Sequence, residues 1–170
     1  MANKVISEDL KRKALAYKDL NIEKYQMKLT ELKTRREALR ANAQSKKGIQ
    51  ALVQCDALVT DATKELTSVL AVSDEMFVKV VLERSLLLNV IKAFDSGKIE
   101  KMAAEVLPEE RVKEIVAQRE ERKSRYKQMS IEELLDVVME NERIEIEIFR
   151  AKALKNKKNS GSQGSEPAFE

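Results

Sequence analysis

Apolar residues recur at helical spacing along nearly the whole chain. Positions 7–44 contain neither Gly nor Pro and are rich in Lys, Leu, Glu, Arg and Ala, all strong helix formers. Ser7 ahead of Glu8 and Asp9 reads as an N-cap with acids in the first turn. Written as heptads, Leu15, Ile22, Leu29, Arg36 and Ala43 take position a. Lys18, Tyr25, Leu32 and Leu39 take position d. The seam is narrow, is broken by Lys18 and Arg36, and is flanked by charge, the pattern of a coiled coil or an edge helix. At 1.5 Å per residue this helix is about 55 Å long. A compact domain of this size has a radius of gyration of about 15 Å, so part of the helix is expected to project or to pair with another chain.

Ser45-Lys46-Lys47-Gly48 is the first break, with Gly48 expected in the left-handed conformation that ends a helix. A second helix over 49–72 places Leu52, Val59 and Leu66 at a and Cys55, Ala62 and Val69 at d. Half of these are small, so a neighbour can approach closely. Ser73 then caps a third helix over 75–95, in which 13 of the 19 residues from 76 to 94 are apolar. Its apolar surface reaches round most of the helix, which predicts burial on several sides. At about 1.5–3 kcal/mol per buried Leu or Phe, it is expected to dominate stability. Asp95-Ser96-Gly97 ends it.

A short helix over 98–106 follows, then one over 108–128 opened by Pro108. The last helix, 131–155, is introduced by the capping box Ser130-Ile131-Glu132-Glu133. There Leu134, Asn141 and Ile148 fall at a, with Val137, Ile144 and Ala151 at d. A polar Asn at a is a device for fixing register or partner number. Residues 156–170 lose all periodicity and are expected to be a disordered tail. The fold class is therefore all-α: a basic coiled-coil-like arm over 1–47, a helical bundle over 48–155, and the tail.

Composition narrows the chemistry. The 170 residues include one Cys, no His and no Trp. That removes Ser-His and Cys-His catalysis, His metal ligands, thiolate zinc sites, redox pairs and intrachain disulfides. No glycine-rich phosphate loop or dinucleotide fingerprint is present. Cys55 sits at an inward heptad position between Gln54 and Asp56 and reads as a buried core thiol. The acidic run of the last helix reads as a solvated face. No catalytic residue, metal or cofactor is assigned. The N-terminus lacks the apolar block of a signal peptide, and 76–94 carries Lys79, Glu83, Arg84 and Lys92, too many charges for a membrane span. A cytoplasmic or intracellular protein with no membrane partner is expected.

Charge adds direction. The net charge of +3 hides a strong segregation. Residues 1–47 hold 13 basic and 6 acidic side chains, net +7, while 131–149 hold 7 acidic and 1 basic, net −6. These segments are expected to lie together, or to meet between subunits, with salt-sensitive stability. Two basic clusters stand out: Lys33, Arg35, Arg36, Arg40, Lys46 and Lys47, then Arg150, Lys152, Lys155, Lys157 and Lys158.

Three readings follow. The first is a non-enzymatic helical protein that oligomerises or binds a protein partner in a larger assembly. Its seam would be Leu15, Ile22, Tyr25, Leu29, Leu32 and Leu39, with Arg36 and Asn141 setting register. The second is sequence-independent nucleic-acid binding through the basic clusters, although no aromatic stacking platform or helix-turn-helix accompanies them. The third is a chaperone-like binder of a partner helix, which would leave the apolar stripe of 75–95 exposed.

Overall fold

The computed structural model describes residues 5–161. Among them are seven α-helices and no strand: α1 (Glu8–Ala41), α2 (Lys46–Ala71), α3 (Asp74–Val81), α4 (Arg84–Phe94), α5 (Lys98–Val106), α6 (Glu109–Lys123) and α7 (Ile131–Gly161). A single 3-10 turn, Tyr126–Gln128, joins α6 to α7. The all-α class and the long N-terminal helix follow the hydrophobic periodicity. The predicted caps also form. The Ser7 hydroxyl accepts from the Leu10 N–H at 3.2 Å, that of Ser73 from Met76 at 3.2 Å, and that of Ser130 from Glu133 at 3.1 Å. Each satisfies an amide that the first turn leaves without an intrahelical acceptor.

The three longest helices define the architecture. α2 folds back antiparallel on α1: Arg36 meets Asp56, Lys28 meets Glu65, and Lys18 reaches Asp74. α7 runs parallel to α1. Lys13 meets Glu132 and Asp136, Lys24 meets Glu142 and Glu145, and Asn156 donates to Glu31. α1 thus lies between α2 and α7, and its interface with α7 is the largest in the molecule. The partner demanded by its length is supplied within the chain. The basic arm and acidic helix also meet inside one chain.

The core sits elsewhere than the crude apolar count of 75–95 suggests. That segment is two helices, α3 and α4, because Leu82 and Glu83 leave the helical path and Glu83 is extended (φ −85°, ψ 121°). The break lets α3 pack on α1 while α4 packs on α7; one straight helix could not serve both. Met76 and Val80 remain exposed, while Val78, Val81, Leu87, Ile91 and Phe94 turn inward. The most deeply enclosed helix is α7. It buries Leu134, Leu135, Val137, Val138 and Met139 in one cluster with α1, α3 and α4 residues. Further along, Ile144 and Ile148 join Phe94, Ala103 and Ile115.

Other boundaries differ from the sequence reading for identifiable reasons. α1 ends at Ala41, before the expected break, and Gly48 lies inside the first turn of α2 without a positive φ. Its role is close approach: a Cβ there would stand 2.9 Å from the Asn42 carbonyl oxygen. Gly97, with φ 89°, is the glycine that takes the left-handed turn, between α4 and α5. The helix expected over 108–128 stops at Lys123. Arg84 from α4 donates to the carbonyls of Tyr126 (3.0 Å), Lys127 (2.7 Å) and Met129, fixing the 3-10 turn in place. α7 continues to Gly161, so 156–161 are helical rather than disordered. The rest of the expected tail, 162–170, lies outside the described residues.

Candidate interaction surfaces

The seam residues proposed on α1 are largely engaged within the fold. Leu32 is buried with Val59 and Ala62 of α2, and Leu29 packs against that cluster. Leu15 packs against the main core. Ile22 and Leu39 are half-buried, as is Tyr25, whose ring carries the Lys24 ammonium 4.6 Å from its centroid. Arg36 meets Asp56 of α2 at 3.7 Å, while its buried Nε has no hydrogen-bond partner. Asn141 is buried on α7, its side-chain amide equally without a partner.

Asn141 adjoins a buried charge cluster. Lys24 lies 3.0 Å from Glu142 and 3.6 Å from Glu145, and Glu142 keeps one carboxylate oxygen unmatched. Burial pushes the Glu142 carboxyl up to about 7; Lys24 opposes that shift and Glu145 adds to it. Burial alone would lower Lys24, but Glu145 and Glu142 outweigh it and its pKa rises. Burial also raises Tyr17, which packs on Phe77 with ring centroids 5.9 Å apart. The cluster borders a 230 Å³ cavity walled by Val90, Phe94 and Ile99. Lys24, Asn141, Glu142 and Glu145 form part of the same wall at the α1–α7 interface, and the unmatched Asn141 and Glu142 atoms are buried.

Cys55 is buried and its thiol lies 3.5 Å from the Leu32 carbonyl. Burial raises its pKa, an environment that suppresses thiolate chemistry. Among the described residues no group of three or more metal-ligating side chains occurs, and no helix is long and apolar enough to cross a membrane.

The parallel packing of α1 and α7 collects both basic clusters at one end. Arg35, Lys152 and Lys155 line a single cleft together with Glu31 and Glu105. Many of these cations have local counter-charges: Arg35 with Glu31 at 2.6 Å, Arg40 with Glu37 at 2.9 Å, and Arg150 with Glu23 at 3.6 Å. Lys33, Lys46, Lys47, Lys155, Lys157 and Lys158 are exposed. Lys46 and Lys47 occupy the first turn of α2, which contains no acid, the reverse of what the helix dipole favours.

A surface that the heptad reading missed lies on α2. Positions 49, 53, 56, 60, 63, 67 and 70 step by four and three, forming one stripe: Ile49, Val53, Asp56, Thr60, Thr63, Thr67 and Leu70. Ile49, Val53 and Leu70 are 52%, 62% and 56% exposed. The three threonine hydroxyls fold back onto the carbonyls of Asp56, Val59 and Thr63, at 3.1, 2.8 and 2.8 Å. Their backbone-bound hydroxyls leave the methyl groups as the apolar part of the stripe. Asp56, its one charge, is met by Arg36. An exposed face with no unmatched charge is unusual in a chain of 36% charged residues. The signal was legible as a second heptad track beside Leu52, Cys55, Val59, Ala62, Leu66 and Val69, the track facing α1. No family model, curated protein sequence or solved structure matches the chain.

Proposed function

We propose that the protein is a non-enzymatic helical assembly module that docks a protein partner, or a second copy of itself, through the outer face of α2. The uncovered stripe from Ile49 to Leu70 carries this reading. α1 is the principal neighbour of α2, so a second apolar track on α2 serves no evident purpose within the chain. Aliphatic and threonine-methyl surface gains by leaving water, and exposed apolar tracks of this kind mark interaction sites. The α1 seam and its register residues then act as the scaffold that presents α2. A photo-reactive amino acid at position 53, in cells that naturally make the protein, tests this. The expected result is a covalent adduct to a defined protein, which mass spectrometry identifies. An unmodified chain there, with adducts at control positions on the polar face, removes the reading.

A second reading draws on the gathering of the two basic clusters at one end: sequence-independent binding of a polyanion such as a nucleic-acid backbone. Lys33, Lys46, Lys47, Lys155 and Lys158 would supply most of the phosphate contacts. A gel-shift titration with duplex DNA or RNA then gives an affinity that falls steeply with salt. Replacing these five lysines with Ala would remove that binding. Salt-independent or absent binding would eliminate it.

A further inference from the structure

The geometry points to a definite occupant of the α2 face: the same face of a second copy, packed antiparallel. This rests on the reading of α2 as the docking surface and adds its partner and direction. Aliphatic residues stand at both ends of the stripe, Ile49 and Val53 at one and Leu70 at the other, with Thr60 and Thr63 at its middle. Reversing the helix about the midpoint of Thr60 and Thr63 sets Val53 opposite Leu70, Asp56 opposite Thr67 and Thr60 opposite Thr63. Two copies related by a two-fold axis near Thr60 and Thr63 therefore set Val53 of each copy against Leu70 of the other. The β-branched threonines meet in the centre, where their short side chains allow close helix approach. Self-complementarity under a two-fold is what an isologous dimer interface requires.

Charge selects the antiparallel arrangement. The stripe's flank away from α1 reads Gln50, Ala57, Lys64 and Ala71, the positions that edge a coiled-coil seam. Parallel pairing would put Lys64 against Lys64 and Asp56 against Asp56. Antiparallel pairing brings Lys64 of each copy to within about one helical turn, roughly 5 Å along the axis, of Asp56 of the other. Each α1 then lies outside its own α2. The paired hairpins form a four-helix layer in which the two α2 helices are inside.

Cysteine scanning of the full-length chain in a Cys55→Ala background reads this directly. Thr60→Cys lies near the two-fold and is expected to give a disulfide-linked dimer under mild oxidation. Ile49→Cys and Leu70→Cys alone are expected to stay monomeric on a non-reducing gel, while a mixture of Val53→Cys and Leu70→Cys chains links. In sedimentation equilibrium the unsubstituted chain is expected to dimerise, and Val53→Lys to weaken that dimer about tenfold or more. Circular dichroism verifies that each variant is folded. Ready self-linking of Ile49→Cys overturns the antiparallel arrangement, as does a monomer persisting to roughly 100 μM. Either result leaves the docking role of α2 intact if position 53 photo-crosslinks to a different protein. An absence of any adduct at 53 removes both.

Discussion

α1 has two long neighbours, α7 and α2, and they use hydrophobic residues in opposite ways. α7 distributes Leu, Ile, Val and Phe round most of its circumference and is enclosed by α1, α4 and α5. α2 buries one narrow track of small and medium side chains against α1 and leaves a second track uncovered. The charges differ in parallel. α7 takes an ion cluster into its interface with α1, whereas the exposed stripe of α2 has its single charge already paired. The difference separates stability from interaction: α7 supplies the former and α2 is free to serve the latter. The hardest test is truncation inside α7. Ile148 is fully buried against Phe94, Ala103 and Ile115. Ile148→Ala removes buried methyl groups and leaves a cavity, an expected loss of about 2–5 kcal/mol in urea unfolding. A loss as small as that expected for an exposed α2 position would erase the contrast.

The ion cluster makes the same contrast through pH. Glu142 titrates at 4.5 when unperturbed and at about 7 in the fold. Below about 4.5 it is protonated in both states and its contribution is fully present. Between 4.5 and 7 the folded chain retains a proton that the unfolded chain releases, so stability falls as pH rises. Above 7 both forms are ionised and the slope vanishes. The shift corresponds to a change on the order of 3 kcal/mol across that window. Asp95, raised by burial although Tyr126 donates to it at 3.2 Å, contributes with the same sign. Glu142→Gln isolates the larger part, since Lys24 keeps Glu145 as a partner. Stability of the two proteins measured from pH 5 to 8 is expected to converge or cross, with the variant gaining towards alkaline pH. Parallel profiles would show that α7 carries no titrating group at this interface.

The inner track of α2 lies between these extremes. Ala62 is almost wholly buried beside Leu32 and Val59, so the close approach of the two helices depends on its small size. Ala62→Leu forces that contact apart at an expected cost of about 1–3 kcal/mol. The same enlargement one residue on, Thr63→Leu, points outward and is expected to leave thermal unfolding unchanged. Equal effects at both positions would mean that α2 does not sit on α1 by this track.

Much of this was legible in the chain because helix caps and periodicity act locally. Ser7, Ser73 and Ser130 announce their helices through side chains that reach only three residues ahead. The pairing of a basic segment with an acidic one was legible from charge sums alone. What sequence could not assign was which apolar surface faces which. The run from Met76 to Phe94 has the densest apolar content, yet it is divided at Leu82–Glu83 so that its halves serve different neighbours. Neither Gly nor Pro marks that division. Arg84, which anchors the 3-10 turn, acts over more than forty residues of chain and leaves no local pattern. On α2 two heptad tracks overlap, and only the position of α1 reveals which one remains free.

The smallest expected effect on stability is at the outer track, and it is the most informative about function. Val53 is mostly exposed, and helix propensity differs little between Val and Lys, slightly favouring Lys. Val53→Lys should therefore change the unfolding free energy by no more than about 0.5 kcal/mol. The same substitution places a charge at the aliphatic end of the contact surface, where an ammonium must lose water without gaining a partner. A variant that unfolds like the parent but no longer associates locates the interface on α2 without appeal to misfolding. A variant destabilised as much as Ala62→Leu would instead show Val53 packed within the chain. The outer track would then be a second inner one, and the distinction between α7 and α2 would collapse to a difference of degree.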